Sequence, residues 1–413
     1  MRAAQRAAVL SQGFAALCFL SALIGTVYFD RLTSVLLVLS TFLFGMVCRY
    51  SQRYLMGDPG QSRFLFWLCV TGSFVFATTI PTDRDSLFAH RAICVATGFP
   101  VETSALGVVR ACGSGLQSIV SAAHQVLDGS SRIALAGGAE IFSRVPYVVT
   151  TARWGHKRGT QQLEDMLDWA YRCPTTQIYM GETAEKLAAQ YGYSREAMDD
   201  WAVMSQSRAI AAQDSGFLAA QICGIDVAGQ PVGTDESPRR GITREKLAAL
   251  KPAFSADGRV TAGNASPVSD GAGFMVVADR AALREAGGTP HARLLGWATV
   301  GVPPELMGHG PVPAIQKLLA RHQLRIEDID YWEINEAFAA VTLHVERQLG
   351  VDRARTNLYG GAISIGHPPG LTGVRMTHTA IQHLKQRGGG RAVMAMCLGS
   401  GQGMAMLIES CDH

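Results

Sequence analysis

At 413 residues the chain is long enough for two or more domains, and its 37 Lys and Arg against 34 Asp and Glu leave a net charge of only +3. That balance excludes the basic stripe of a nucleic-acid binder. Nine cysteines, scattered without CxxC pairs or His–Cys ligand spacing, exclude a zinc ribbon or a disulfide scaffold and suit a reducing compartment.

Three apolar stretches come first: Gly13–Phe29, Leu32–Cys48 and Phe64–Ile80. Each is about 17 residues, the short end of what crosses a bilayer, and short Arg-bearing pieces separate them. They are read as two or three transmembrane helices. The hydrophobic segment is bounded at 1–82.

From about Asp83 the chain changes to Gly-rich turns, amphipathic helices and short apolar strands. Ala105–Val109 reads as a short buried strand. Leu116, Ile119, Val120, Ala123 and Leu127 then recur at helical spacing. Ser131–Glu140 reads as a buried strand ending in glycines. Thr183–Tyr191 and Arg195–Ser215 read as helices, and Pro231–Arg259 as loop. Further on, strands and helices alternate to the end of the chain. The expectation is an α/β fold with mostly parallel sheets and helices on their faces. A faint repeat relates the stretch from Cys112 to Glu140 with the one from His367 to Gly399: reactive residue, Gly-rich turn, helix, then a strand ending in glycines.

Four clusters carry chemistry. Cys112 lies between a strand and a helix, where unpaired N–H groups and the helix dipole favour an anion. A thiol there is expected to have its pKa lowered toward the thiolate. His367 sits in the turn "GHPPG", Cys397 ends an apolar strand in "MCLGSGQG", and Asn335 follows a strand in "WEINEAF". Two thiols and a histidine at strand-end glycine turns suit Claisen chemistry on thioesters. One thiolate takes the acyl group, a histidine activates it, a second thiol moves a proton, and N–H donors hold the thioester oxygen.

These clusters, with "GGAEIFSRVPY", "MGETAEKLA", "VTAGNASPVSDGAG" and "GHGPVPA", resemble the thiolase family in family order from about Phe88 to Glu409. The resemblance implies two pseudo-equivalent halves, 83–290 and 291–413, with a lid-like insertion over about 150–259. It implies acyl transfer between CoA thioesters through an acyl-cysteine, as in fatty-acid β-oxidation. Cys112 would be the nucleophile and His367 its base. Cys397 would be the second acid/base, and Asn335, through a water, and Gly399 would serve oxyanion holes. Ala262, Ser266, Ala337 and Phe338 would line the pantetheine channel, and Met180 would flank the acyl site. No cofactor or metal is implied, CoA being substrate. The partners implied are CoA thioesters and further copies of the chain, with no nucleic acid. The catalytic region is expected on the cytoplasmic side, with the membrane reached through residues 13–80.

Two departures stand out. Val109 and Ser400 occupy places where the family usually has Asn and Gly. At the N-terminus the apolar block appears in place of the family's first strands and helices, which are expected to come from the middle of the first sheet. A wrong start or a shifted reading frame is one reading of that block. The alternatives are an inactive, membrane-anchored relative acting as an interaction protein, or a ketoacyl-synthase-like condensing enzyme. Cys397 argues against the latter.

Overall fold

The computed structural model describes residues 72–84 and 86–411. Within them, two four-stranded sheets are built to one plan. In the first half, β1 (Gly72–Ala77), β2 (Ser104–Val108), β3 (Ile133–Glu140) and β4 (Gly271–Ala278) lie in the order β2-β1-β3-β4. In the second, β5 (Ala292–Gly301), β6 (Tyr331–Ile334), β7 (Arg391–Leu398) and β8 (Gln402–Ser410) lie in the order β6-β7-β8-β5. β1 is parallel to both neighbours, and β3 and β4 are antiparallel. β6 and β7 are parallel, while β8 runs antiparallel to both β7 and β5. The sheets are therefore mixed, where alternation of strand and helix suggested mostly parallel ones. The antiparallel strand is β4 in the first half and β8 in the second.

The helices that matter to the site are α1 (Ala89–Ala96), α2 (Ser114–Leu127), α3 (Met180–Tyr191), α4 (Arg195–Asp214), α5 (Pro311–His322), α6 (Ala339–Leu349) and α7 (Pro369–Arg387). α2 connects β2 to β3, and α7 leads into β7. They hold the same position in the two halves, as the sequence repeat predicts. One continuous core cluster joins β1, β3, α2, α7, β7 and β8 through Val75, Leu116, Ala136, Val374, Met396 and Met406. α2 and α7 touch backbone to backbone. A Cβ at Gly115 would lie 2.9 Å from Gly373 N, and one at Gly373 would lie 2.1 Å from Leu116 N. Only glycine admits that approach.

The end of the third apolar stretch is corrected here. Residues 72–77 are not part of a membrane span but the second strand of the first sheet, paired on both sides, with Phe74 and Val75 buried. A central parallel strand covered on both faces is apolar at nearly every position, which makes it look like a span by hydropathy alone. The first sheet is thus intact at its centre. Among the described residues no strand pairs with the outer edge of β4. The first two apolar stretches lie outside the described residues. Among those described, no helix is long and apolar enough to cross a membrane. β2, expected to be buried, is an exposed edge: Leu106 is 41% exposed.

Between β3 and β4 the chain makes its long excursion, residues 141–270. The polar stretch expected to be loop contains a two-stranded ribbon, Ile225–Val227 with Gln230–Val232, and a short helix, Arg244–Ala248. The helix is capped by the Thr243 side chain.

Candidate active site

Cys112 and His367 each stand two residues ahead of the first residue of a helix, and those helices are the pair in backbone contact. The turn at Cys112 is tight. Gly113 N donates to Arg110 O and Ser114 N to Ala111 O, each at 3.0 Å, and Ala111 adopts φ 45°. Left-handed backbone at a non-glycine residue costs about 1–2 kcal/mol, so the surrounding structure must enforce it. The Ser114 hydroxyl does so locally, accepting from Arg110 N and donating to Ala111 O.

The thiol's environment departs from the expectation. Burial pushes the Cys112 thiol up to about 11. The N–H groups of Gly399 and of Cys112 itself only partly offset this, and the nearby Glu140 carboxylate adds to the rise. Desolvation outweighs the helix terminus, so the resting group is a neutral thiol aimed at the Gly399 N–H. Cys397, at the end of β7 and fully buried, is raised further by burial and by its neighbour Cys112. Cys397 is thus near enough to Cys112 for their charges to interact, and Cys112 meets the Gly399 N–H.

His367 is 8% exposed, and burial, with the Arg375 charge second, holds its imidazole down to about 4. Its tautomer follows from its partners. The Thr372 hydroxyl donates to Pro368 O at 2.8 Å and so accepts from His367 Nδ1, also at 2.8 Å. That leaves Nε2 unprotonated, facing the Asn335 side-chain amide nitrogen at 3.3 Å. Asn335 is fully buried, and its Oδ1 has no partner among the described residues. The His367 backbone N–H donates to Ser269 Oγ at 2.9 Å.

The remaining expected residues divide. Met180 begins α3 above the turn after β7: a Cβ on Gly399 would lie 3.4 Å from its Cε. "TAGNAS" and "NEAF" come together as a short antiparallel bridge between Ala265 and Phe338, with Ser266 N on Ala337 O at 3.0 Å and Ala339 N on Asn264 O at 2.9 Å. Ala337 and Phe338 are buried there, Ser266 is half-buried and Ala262 is exposed.

Sequence reasoning did not single out Thr372, Ser269 or Glu140. Glu140 ends β3 and is buried. It accepts from Thr79 N at 3.0 Å, Ile80 N at 3.2 Å, Thr78 Oγ1 at 3.1 Å and Gly370 N at 3.2 Å. It therefore ties the end of β1 to the start of α7. A signal existed: a carboxylate closing an otherwise apolar, glycine-rich strand is rarely left without partners.

The chain matches the family model "Thiolase, N-terminal domain" over residues 73–281 and "Thiolase, C-terminal domain" over residues 288–410. Residues 25–65, outside the described region, match a model of the N-terminus of chain 5 of NADH-ubiquinone oxidoreductase (complex I). The mitochondrial 3-ketoacyl-CoA thiolase of Homo sapiens is 40% identical over 343 residues, 82% of this chain and 86% of that one. Beta-ketothiolase BktB of Cupriavidus necator is 41% identical, over 82% of this chain and 87% of its own. Among solved structures, that of the human mitochondrial 3-ketoacyl-CoA thiolase in complex with CoA superposes with a TM-score of 0.82 at 40% identity, covering 85% of this chain and 89% of that one. The Bacillus anthracis acetyl-CoA acetyltransferase gives a TM-score of 0.79, also at 40% identity, covering 83% and 88%.

Proposed function

The chain belongs to the thiolase family and is an acyltransferase, and on that premise we propose that Cys112 takes the acyl group, His367 accepts its proton, and Cys397 serves the second half-reaction. The observation that carries this reading is the meeting of Cys112, the Gly399 N–H and Cys397 where α2 and α7 cross, with His367 heading the second helix.

In the first half-reaction Cys112 Sγ bonds to the thioester carbon of acetyl-CoA (condensation) or to the 3-oxo carbon of a 3-oxoacyl-CoA (thiolysis) as its proton passes to His367 Nε2. For condensation the carbon–sulfur bond breaks and CoA departs with that proton; for thiolysis the C2–C3 bond breaks and the departing acetyl-CoA carbon takes a proton from Cys397. A neutral thiol beside a neutral imidazole makes this transfer concerted with attack rather than prior to it. The unpartnered Asn335 Oδ1 suits a site that orders a water at the thioester oxygen. The Gly399 N–H serves the oxygen of the acyl-Cys112 intermediate. In the second half-reaction Cys397 removes the proton of CoA for thiolysis, or of the α-carbon of acetyl-CoA for condensation. In the thiolytic direction a 3-oxoacyl-CoA and CoA give acetyl-CoA and a shortened acyl-CoA, and no metal or organic cofactor takes part. "TAGNAS" and "NEAF" form the wall along which pantetheine enters.

The division into halves falls near residue 290. Its first half starts at Gly72 rather than Asp83, because β1 is needed to pair with β2 and β3. A second copy of the chain docks along the outer edge of β2, where Phe88, Val101 and Val109 are 68%, 73% and 70% exposed. The catalytic half-reactions need reduced thiols, which places this region on the side of the CoA pool.

The deciding experiment is intact-mass spectrometry of the full chain mixed with acetoacetyl-CoA, followed by peptide mapping. One acetyl group on Cys112 and release of acetyl-CoA are expected. An adduct elsewhere, or none in a folded sample, would overturn the assignment.

A further inference from the structure

Three stretches of chain far apart in sequence converge on one buried carboxylate that takes no part in the reaction steps. Glu336 follows Asn335 at the end of β6 and is fully buried. Its Oε1 accepts from Trp201 Nε1 at 2.9 Å and from Asn357 Nδ2 at 3.0 Å. Its Oε2 accepts from Ser205 Oγ at 2.6 Å and from Ile363 N at 3.2 Å. Four donors match the four lone-pair sites of a carboxylate, so both oxygens are fully used.

The donors come from two places. Trp201 and Ser205 lie on α4, in the long excursion. Asn357 and Ile363 lie on the segment that leads to His367. Asn357 also brackets Ile334, accepting from its N and donating to its O, each at 2.8 Å. Ile363 belongs to the one-turn helix Ala362–Ile365, and its N–H is one that a helix start leaves without an internal partner. Gly366, at φ 102°, then turns the chain into His367. A Cβ at Gly361 would lie 2.3 Å from Glu336 Cδ, so backbone rests directly on the carboxyl group. Asn335 is held by the sheet, its N–H donating to Ala395 O at 2.9 Å. His367 lies outside the sheets, and Glu336 grips the route that brings the chain to it.

We propose that Glu336 is a positioning residue for the reaction: by capping the one-turn helix that delivers His367, it sets the 3.3 Å spacing between the Asn335 amide nitrogen and His367 Nε2. This rests on the reading of His367 as the base. A neutral amide cannot replace the carboxylate. In Glu336→Gln the oxygen serves one pair of donors, and the NH2 group must face the other. It is best tolerated opposite Ser205 and Ile363, because the Ser205 hydroxyl can turn to accept. The Ile363 N–H then loses its acceptor.

The test compares Glu336→Gln with Trp201→Phe in the full chain. Trp201→Phe removes a donor from the other oxygen, so it lowers the urea midpoint but leaves Ile363 capped. Single-turnover acylation by acetyl-CoA separates two quantities: the amplitude reports the folded fraction, and the rate constant reports the geometry. Glu336→Gln is expected to keep the amplitude and to slow the rate constant by about 10²-fold, the scale of a small misplacement of reacting groups. Trp201→Phe is expected to keep the wild-type rate constant. The Nε2 resonance of nitrogen-15-labelled histidine, assigned by its loss in His367→Asn, is expected to shift in Glu336→Gln and to stay in place in Trp201→Phe. Glu336→Asp keeps the charge but ends one methylene short of Ile363. It is expected to shift the resonance and slow acylation as well, and it decides the matter if Glu336→Gln does not fold. An unmoved His367 resonance, or rate constants that fall in step with the urea midpoints of all the variants, would overturn the proposal. If the resonance shifts while acylation keeps its rate, Glu336 retains its hold on His367, and His367 loses the role of base.

Discussion

The two halves join the same pair of antiparallel strands in opposite ways. Between β7 and β8 the chain turns through Gly399, Ser400 and Gly401. Between β3 and β4 it travels through residues 141–270. The tight turn holds a backbone N–H against Cys112, whereas the long excursion brings Met180 over that turn and "TAGNAS" beside "NEAF". At the same place in the plan one half carries a tight turn and the other a long excursion that reaches back over that turn. The edges differ too, since β5 covers β8 while nothing described covers β4. The shared plan puts Cys112 ahead of the helix in one half and His367 ahead of the equivalent helix in the other.

The sharpest way to break this comparison is at the thiols, one from each half. Cys112→Ser should lose acyl-enzyme formation and turnover by about 10⁴-fold or more, because a hydroxyl in that turn is far less acidic and less nucleophilic. Given acetyl-CoA, Cys397→Ala should still acquire the acetyl group, since cleavage of the carbon–sulfur bond does not use it. Its steady-state thiolysis should fall by about 10³-fold, the range of a lost proton carrier. Stopped-flow acylation beside steady-state rates separates the two. Near-normal thiolysis by Cys397→Ala would remove the division of labour.

A smaller effect tests the seam. Gly373→Ala places a Cβ 2.1 Å from Leu116 N and 2.8 Å from the Gly115 carbonyl carbon, against backbone that cannot rotate away. Separating α2 from α7 should cost about 3 kcal/mol of stability, read as a lower urea midpoint at unchanged slope. Acylation should slow as well, since Cys112 and His367 ride on those two helices. A variant of full stability would mean that the helices are not held by this contact.

Much of this was legible in the sequence, for reasons that particular residues make plain. Cys112, His367, Cys397 and Asn335 announce themselves because reactive side chains next to glycines at strand ends are rare. The repeat showed the pseudo-symmetry of α2 and α7. What misled was hydropathy without pairing: Phe74, Val75 and Phe76 are apolar for a central strand as they would be for a membrane helix. β2 misled in the reverse direction, an apolar strand that is an open edge. The Cys112 acidity was misjudged because the helix terminus is local in sequence, whereas the burial that overrides it is set by the fold. Thr372 and Ser269 were missed for the same reason. Ser269 lies 98 residues from the histidine it holds, and a lone hydroxyl carries no pattern of its own.

The smallest effect concerns Ser400, the residue in a glycine's place. It adopts φ 65°, and its neighbour Gly401 adopts φ 79°. Their surroundings differ. A Cβ on Gly401 would lie 2.4 Å from Val302 O, the chain that also donates Val302 N to Gly401 O at 2.8 Å. The Ser400 side chain has room and reaches Cys173, with Sγ to Oγ at 4.0 Å. Ser400→Gly relieves about 1 kcal/mol of left-handed strain but gives back a similar amount in unfolded-chain entropy. Its stability should therefore change by less than about 0.5 kcal/mol, and Cys112 acylation should be unaltered because Gly401 keeps the turn in place. Gly401→Ala should destabilise by about 2 kcal/mol through the clash and should weaken acylation with it. Paired urea titrations with acylation rates decide the matter. If Ser400→Gly slowed acylation as much as Gly401→Ala did, the serine itself, and not the backbone path, would be what aims the Gly399 N–H at Cys112.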